Sequence, residues 1–366
     1  MIRQMTDLVP PTTPASLAKS VLGRVRLPTM AHGERGWRLF VWLITLTTLV
    51  PYAVMPLSVH FGQNANALLL ASTLLNFLGG HVHVSTTAFF YTDPAMREHF
   101  REHKTRYVYA PIVLILGVGL LYMITPEPYN RYILLYHFMW QTWHYQRQNF
   151  GILAFVSTAT AGAAGRVPVS RFEKLTLDVA AVAGMLALIK INALNAQTIL
   201  APFTDAIFLV ACLAYAAVPF VIGAAVLNEP RLLQNRLRFG ALVLFAAFYL
   251  PSFIFTDPIS AVLGYALGHG LQYLVFMTYV GASRPRPLVA LLALIGLGIG
   301  GGFLLTYMTN AGSEPGALFK FIFGMAVGTV MSHFVIDAGV WKLRHPFQRG
   351  YVRRAFPFVF DRRPTA

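Results

Sequence analysis

The feature that most constrains this chain is a series of long apolar runs, of which ALLALIGLGIGGGFLLTYM is one. A run of about 20 apolar residues is long enough to cross the hydrocarbon core of a bilayer as a helix. The composition agrees, because 56% of the 366 residues are hydrophobic and only 12% are charged. Soluble domains carry about 25% charged residues. The sequence therefore predicts an all-α, polytopic integral membrane protein.

The apolar runs predict about ten transmembrane helices. Their approximate bounds are 38–58, 66–91, 107–125, 131–157, 175–198, 203–227, 236–256, 258–281, 287–309 and 316–341. Together they form one predicted transmembrane domain, residues 38–341. Residues 1–37 are predicted to be a cytoplasmic arm, in which 16–27 could form an amphipathic helix on the membrane surface. Residues 342–366 are predicted to be a basic cytoplasmic tail.

Basic residues are concentrated in every second connection between the predicted spans. The basic connections are 97–106, 165–174, 228–238 and 283–287, and both terminal segments are basic as well. By the positive-inside rule these segments are cytoplasmic, which predicts both termini on the cytoplasmic side of a bacterial inner membrane. This distribution accounts for most of the net charge of +15. Nucleic acid is therefore not needed as a partner to explain the basic composition.

Several common kinds of site are not indicated by the sequence. The single cysteine, Cys212, cannot form a disulfide framework or a thiolate cluster within one chain. Neither GxxxxGK[ST] nor a GxGxxG that follows a strand is present, so nucleotide binding is unsupported. No internal repeat is strong enough to indicate inverted halves.

Histidines are the main ionisable side chains inside the predicted spans. Placing an ionisable group in the membrane costs free energy, so such residues usually have a function. They fall in the second, fourth, eighth and tenth spans, which are predicted to run in the same direction across the membrane. Four such helices can point imidazoles into one buried layer. Neutral imidazole suits iron, copper and zinc. The predicted metal ligands are His81, His83, His137, His144, His269 and His333.

Helical spacing groups these histidines with other polar residues. In the fourth span one face carries His137, Gln141, His144 and Gln148. In the eighth span one face carries Tyr265, His269 and Gln272, and in the tenth span one face carries His333 and Asp337. In the second span His83 shares a face with Thr87, whereas His81 points away unless the helix is distorted at Gly79 and Gly80.

The other polar residues on these faces have predicted roles beside the metal. Asp337, Tyr265 and Gln148 are candidate catalytic residues, since they can act as a ligand, accept an imidazole N–H or hold a bound water. Gln141 and Gln272 are candidate cofactor-binding residues. The alternative is a polar packing or transport cavity, in which these histidines and glutamines are hydrogen-bonding contacts between helices.

A second pair of histidines lies in the connection at 97–106. His99 and His103 form an HxxxH motif with Glu98 and Glu102 beside them, a spacing that can bind a metal on a helix. The motif is similar to one histidine box of membrane fatty-acid desaturases and hydroxylases. Those enzymes also carry an HxxHH box, and this chain contains no HH pair. A solvent-exposed, charged loop helix is the favoured interpretation.

These observations predict a membrane metal-dependent oxidoreductase of the oxygenase, hydroxylase or desaturase type. The nitrogen-rich ligand set with some oxygen favours iron over copper. The membrane location favours a hydrophobic, lipid-like substrate, and a redox partner could dock at the cytoplasmic face. The layout resembles that of the bacterial membrane carotenoid-cleaving oxygenases, in which histidines on several helices hold iron. This resemblance implies dioxygen chemistry at His83, His144, His269 and His333.

Two other functions are compatible with the same residues. A b-type haem protein could use paired histidines on facing helices as axial ligands and pass electrons through the membrane. A proton-coupled transporter could use the histidines and Asp337 as a proton relay. Spectra and metal content separate the first alternative from a metal oxygenase, and transport by metal-free protein would support the second.

Overall fold

A computed structural model describes residues 33–61, 73–161, 168–190, 198–254 and 258–360, and these ranges contain helices but no strand. The α-helices are α1 (Gly33–Phe61), α2 (His83–Thr86), α3 (Pro94–Glu102), α4 (Ala110–Ile124), α5 (Asn130–Thr160), α6 (Arg171–Leu188), α7 (Thr204–Ala216), α8 (Val218–Asn228), α9 (Arg231–Gln234), α10 (Arg236–Ala247), α11 (Pro251–Ile254), α12 (Pro258–Ala282), α13 (Pro287–Asn310), α14 (Ala317–Val340), α15 (Pro346–Ala355) and α16 (Pro357–Phe360). The predicted all-α fold class is thus confirmed for the described residues.

Short non-α helical segments interrupt this pattern. The π-helical segments are Phe77–Val82 and Thr105–Tyr109, and the 3₁₀ segments are Thr87–Thr92, Ala201–Phe203 and Ala311–Ser313. The first π segment contains Gly79 and Gly80 and ends where α2 begins, at His83. The helix is therefore distorted at the two glycines, immediately before a predicted metal ligand.

Some predicted segments lie outside the described residues. The amphipathic helix at 16–27 is one of them. Residues 66–72 of the second predicted span and 191–197 of the fifth also lie outside, as do the last six residues, 361–366.

Five helices among the described residues are long and apolar enough to cross a membrane. Their bounds are Glu34–Val54, Thr105–Ile124, Ala201–Asn228, Pro287–Ser313 and Ala317–Val340. Many of their large apolar side chains face outward; Phe220, for example, is 80% exposed and Leu227 is 82% exposed. Apolar surface of this extent is unfavourable in water and is suited to lipid. These helices are compatible with an integral membrane protein.

The helix α5 differs from those five helices in character. It has 31 residues, which is enough to cross a bilayer, but its surface carries histidines, glutamines and two arginines, Arg131 and Arg147. Most of these polar groups are buried against other helices. Arg147 is bound to Asp178 of α6 at 2.7 Å, and its guanidinium lies 4.4 Å from the ring centroid of Trp143.

The packing of α12 is governed by the glycines on either side of His269. Gly268 faces α1, where an added Cβ would lie 3.0 Å from the carbonyl oxygen of Thr47. Gly270 faces the π segment, where an added Cβ would lie 2.4 Å from the carbonyl oxygen of Gly79. Only residues without a side chain allow backbones to approach this closely. His269 is therefore held between two neighbouring helical backbones.

Charged residues at the ends of the helices are paired. Asp93 precedes Pro94 and caps α3, its Oδ1 accepting from the backbone N–H of Ala95 at 2.8 Å. Its other carboxylate oxygen is bound to Arg284 at 2.5 Å, just beyond the end of α12. Asp93 and Pro94 thus mark the start of α3. The ion pair fixes α3 to the end of the helix that carries His269.

We predict that Gly270→Ala destabilises the protein and that Gly300→Ala does not. The new methyl group of Gly270→Ala would collide with backbone, which typically costs about 1–3 kcal/mol of folding free energy. Gly300 lies in α13 with nothing within 4 Å of an added Cβ, so the same change is harmless there. Thermal unfolding in detergent measures both variants. Equal midpoints would contradict the close contact between α12 and the π segment.

Candidate metal centre

Four buried histidines from four helices form one cluster, which we call the imidazole cluster: His83, His144, His269 and His333. They belong to α2, α5, α12 and α14. The rings of His83 and His144 each lie beside those of His269 and His333, with centroids 4.9–5.1 Å apart and planes 73–86° from one another. Each ring therefore presents its edge to the next around a common centre.

The imidazole cluster has an unusual number of unpaired polar atoms. Both ring nitrogens of His83 and His269, and the Nε2 atoms of His144 and His333, are buried without a hydrogen-bond partner among the described residues. Buried polar groups in native proteins are nearly always paired, because an unpaired one costs its full desolvation energy. Each of the four rings therefore has at least one unpaired nitrogen that could bind an ion, and one ion could take at most one nitrogen from each ring.

Asp337 supplies a carboxylate at the edge of the imidazole cluster. Its Oδ2 lies 3.9 Å from His144 Nε2 and 3.8 Å from His333 Nε2, distances that leave room for an ion between them. One ligand atom from each of these three residues lies within 4.8 Å of the other two. The same holds for His83, His269 and His333. The two sets share His333, so five potential ligands surround one region.

Two hydroxyl groups position His333 and Asp337 on one side of the cluster. Thr87 Oγ1 lies 2.6 Å from His333 Nδ1, which leaves His333 Nε2 facing the centre. Tyr273 donates to Asp337 Oδ1 at 2.8 Å, which leaves Oδ2 facing the centre, and its hydroxyl lies 3.2 Å from that of Thr87. Such partners fix the orientation of metal ligands and are often as important as the ligands themselves.

A chain of buried amides supports the backbone of His269. Gln148 donates to the carbonyl oxygen of His269 at 3.2 Å and to Gln272 Oε1 at 2.8 Å. Gln272 in turn donates to Thr48 Oγ1 at 2.8 Å and to Asn149 Oδ1 at 3.3 Å. The two predicted site residues Gln148 and Gln272 thus join α1, α5 and α12 around the cluster, and their hydrogen bonds are made with one another and with these helices.

Aromatic rings surround the imidazole cluster. Phe334 stacks on His144 with centroids 4.5 Å apart, and Tyr145 lies on His269 at 4.3 Å. Tyr273 lies edge-on to His333 at 5.1 Å. These rings exclude water from the site and give it apolar walls, so electrostatic interactions inside it are stronger than in water.

His81 and His137 are not part of the imidazole cluster. Although the helix is distorted next to His81, its Nδ1 lies 2.8 Å from the hydroxyl of Thr306 and its Nε2 lies 3.3 Å from that of Thr309, both on α13. The ring of His137 stacks on Phe334 with centroids 6.1 Å apart, and its Nδ1 is also buried without a partner, but none of the three-residue ligand groups among the described residues includes it. The structure therefore brings together four of the six predicted metal ligands.

Tyr265 and Gln141 are also directed elsewhere. The hydroxyl of Tyr265 donates to the carbonyl oxygen of Tyr249 at 3.0 Å and lies 2.6 Å from the hydroxyl of Ser252. Gln141 donates to the hydroxyl of Tyr145, which packs on His269. The hydroxyl of Tyr265 therefore links α12 to α11, and Gln141 supports the ring of Tyr145 beside His269.

Tyr273 is the site residue that helical spacing could have identified but that the sequence analysis missed. It lies four residues after His269, on the same face of α12. The signal is weak because aromatic residues are frequent along this helix. The role of Tyr273 depends on its contacts with Thr87 and Asp337, which belong to two other helical segments.

The comparisons with known proteins found no match: no protein-family model, no curated protein and no solved structure is similar to this chain. The chemistry of the site therefore rests on its own geometry.

We predict that Thr87→Val and Tyr273→Phe each weaken metal binding about 10–100-fold, because they remove partners that orient His333 and Asp337. Competition with a chelator measures the affinity of the purified protein. Tyr265→Phe is the matched control, since it removes a buried hydroxyl from the same helix at a distance from the imidazole cluster. A loss of affinity in Tyr265→Phe equal to that in Tyr273→Phe would show a general packing effect instead.

Proposed function

We propose that this protein is an integral-membrane, metal-dependent oxidoreductase of the oxygenase, hydroxylase or desaturase type. Its metal would be a single iron ion held by the imidazole cluster and Asp337, and its substrate would be hydrophobic and lipid-like. The observation that carries the proposal is the set of four buried imidazoles from four helices, each with at least one unpaired ring nitrogen, beside a carboxylate oxygen.

The spacing of the rings is compatible with a single ion. A metal bound about 2 Å from a ring nitrogen lies about 3 Å from the ring centroid, so neighbouring imidazoles on one ion have centroids about 4.5–5 Å apart. The four neighbouring pairs of the imidazole cluster are 4.9–5.1 Å apart. A haem needs its axial imidazoles on opposite faces of a macrocycle. Rings packed edge to face at this spacing favour an ion over haem.

The ligand types support iron. Imidazoles beside a carboxylate are a donor set typical of non-haem iron sites that activate dioxygen, and no thiolate is available to favour a softer metal. The single negative charge of Asp337 partly offsets a divalent cation, which would otherwise be an expensive charge in a buried site. When bound, the ion would supply dioxygen activation, and the protein would supply orientation and exclusion of water.

The residues around the site have distinct proposed tasks. Tyr273 and Thr87 hold Asp337 and His333 in orientation, and Gln148 holds the carbonyl of His269. Tyr273 also offers a hydroxyl proton within hydrogen-bond distance of Asp337, so this pair could take up or release a proton during turnover.

A hydrophobic substrate is supported by an apolar cleft of about 340 Å³ between α1, α5 and α10. Its walls include Phe40, Ile44 and Val156. Ile44 lies one helical turn from Thr48, which accepts a hydrogen bond from Gln272 and so connects to the amides that support His269. The cleft could hold part of an acyl chain, and its lining residues are separate from those of the imidazole cluster. A redox partner that supplies electrons would dock on the basic cytoplasmic face.

The proposed arrangement in the membrane follows the sequence pattern. Ten spans, both termini in the cytoplasm and a bacterial inner membrane agree with the alternation of basic connections. The five strongly apolar helices would be joined by five spans of more mixed character, including the helices of His83, His144 and His269.

Metal content tests the proposal most simply. We predict that purified protein contains near-stoichiometric iron and that His144→Ala and His333→Ala lose most of it, because each removes a ligand. His81→Ala and His137→Ala are matched controls, since they remove buried histidines outside the imidazole cluster and should keep the iron.

Four results would contradict this assignment. Protein that is metal-free after mild purification, or that keeps its iron in His144→Ala, would exclude the metal centre. A Soret band in the visible spectrum would favour the haem alternative. Solute transport by metal-free protein in proteoliposomes would favour the transporter.

The topology makes a separate prediction. Reporter enzymes that are active only outside the inner membrane should be inactive when fused after residue 104 or residue 285, and active when fused after residue 127 or residue 314. The first two positions lie in basic connections and the last two in connections with few basic residues. Activity at the basic positions would contradict the proposed orientation.

A further inference from the structure

A second group of potential metal ligands lies at the C-terminal end of α3, where it meets α15. One ligand atom from each of His99, Glu102 and His103 lies within 4.8 Å of the other two. His99 is buried, with only 8% of its surface exposed, whereas Glu102 and His103 are exposed. The sequence analysis favoured a solvent-exposed loop helix here, and the buried His99 departs from that expectation.

The ring of His103 is held in an orientation suited to metal binding. Its Nδ1 lies 3.0 Å from the carbonyl oxygen of His99. Because a carbonyl oxygen can only accept a hydrogen bond, Nδ1 carries the proton and donates it. The lone pair of a neutral ring is then on Nε2, which is free to bind a cation. This pairing of one ring nitrogen with a backbone carbonyl is common among metal-binding histidines.

His99 is held by the C-terminal helix α15. Its ring stacks on Phe347 at 4.2 Å with the planes 12° apart, and its Nε2 lies 3.0 Å from the side-chain amide of Gln348. Gln348 Oε1 is buried and has no partner among the described residues. Exchanging the amide nitrogen and oxygen by a 180° rotation lets this oxygen accept from His99 Nε2–H. The lone pair of His99 is then on Nδ1.

We propose that His99, Glu102 and His103 bind a divalent transition-metal ion, with Zn²⁺ as the ion that best matches this set. Two imidazoles and one carboxylate are a common three-residue zinc set, which leaves a fourth position for solvent or another ligand. The side chain of Glu102 is exposed and can close on the ion, while His103 is oriented by the carbonyl of His99 and His99 is fixed by Phe347 and Gln348. The site is distinct from the imidazole cluster, because none of its residues is shared.

Zinc titration of the full-length protein in detergent tests this site. The wild-type protein should bind Zn²⁺ at a saturable site, and His103→Ala and Glu102→Gln should each weaken that site at least about tenfold. Glu98→Gln is the matched control, because Glu98 lies on the same helix, is exposed and pairs with Arg101 instead. The control removes the same charge and should leave the affinity unchanged.

Two further variants identify the site and its support. His144→Ala should leave this zinc site intact, which separates it from the imidazole cluster. Gln348→Leu should weaken it about 10–100-fold, and Gln348→Glu, which still accepts from His99, should retain it. The proposal is overturned if His103→Ala leaves the zinc titration unchanged, or if Glu98→Gln weakens binding as much as Glu102→Gln does.

Discussion

Polar groups inside an apolar, water-free environment need hydrogen-bond partners. The partners of the buried polar groups explain most of this structure. The amides of Gln148 and Gln272, the hydroxyl of Tyr273 and the carboxylate of Asp337 are all paired. Next to them, six ring nitrogens of the imidazole cluster are not. One metal ion could take one nitrogen from each of the four rings, because a cation can accept several lone pairs at once.

The residues around the imidazole cluster could hold the histidines in position for that ion. Close backbone contact at Gly270 brings α12 against the π segment that precedes His83, and the amide chain through Gln148 holds the carbonyl of His269. Stacked aromatic rings, with Phe334 against His144, keep water out. The π segment Phe77–Val82 is also consistent with a functional site, since π-helical turns inside longer helices are frequent at such sites.

Helical spacing predicted a large part of the site, and its failures have physical causes. It separated His83 from His81, because residues two apart on a helix face different sides. It could not separate His144 from His137, which lie seven residues apart on one face, because spacing carries no information about depth. Tyr273 was missed because its partners are on other helices. The all-helical fold could be predicted from the composition and the length of the apolar runs, which are local features of the sequence.

X-ray absorption at the iron edge of the purified protein tests whether the four imidazoles bind one iron ion directly. We predict a first shell of nitrogen and oxygen at about 2.0–2.2 Å, with the outer-shell scattering of several imidazole rings. Substitution of His269 should reduce that imidazole scattering. A spectrum with sulfur ligands, with a porphyrin pattern, or without imidazole scattering would contradict direct binding of iron by these rings.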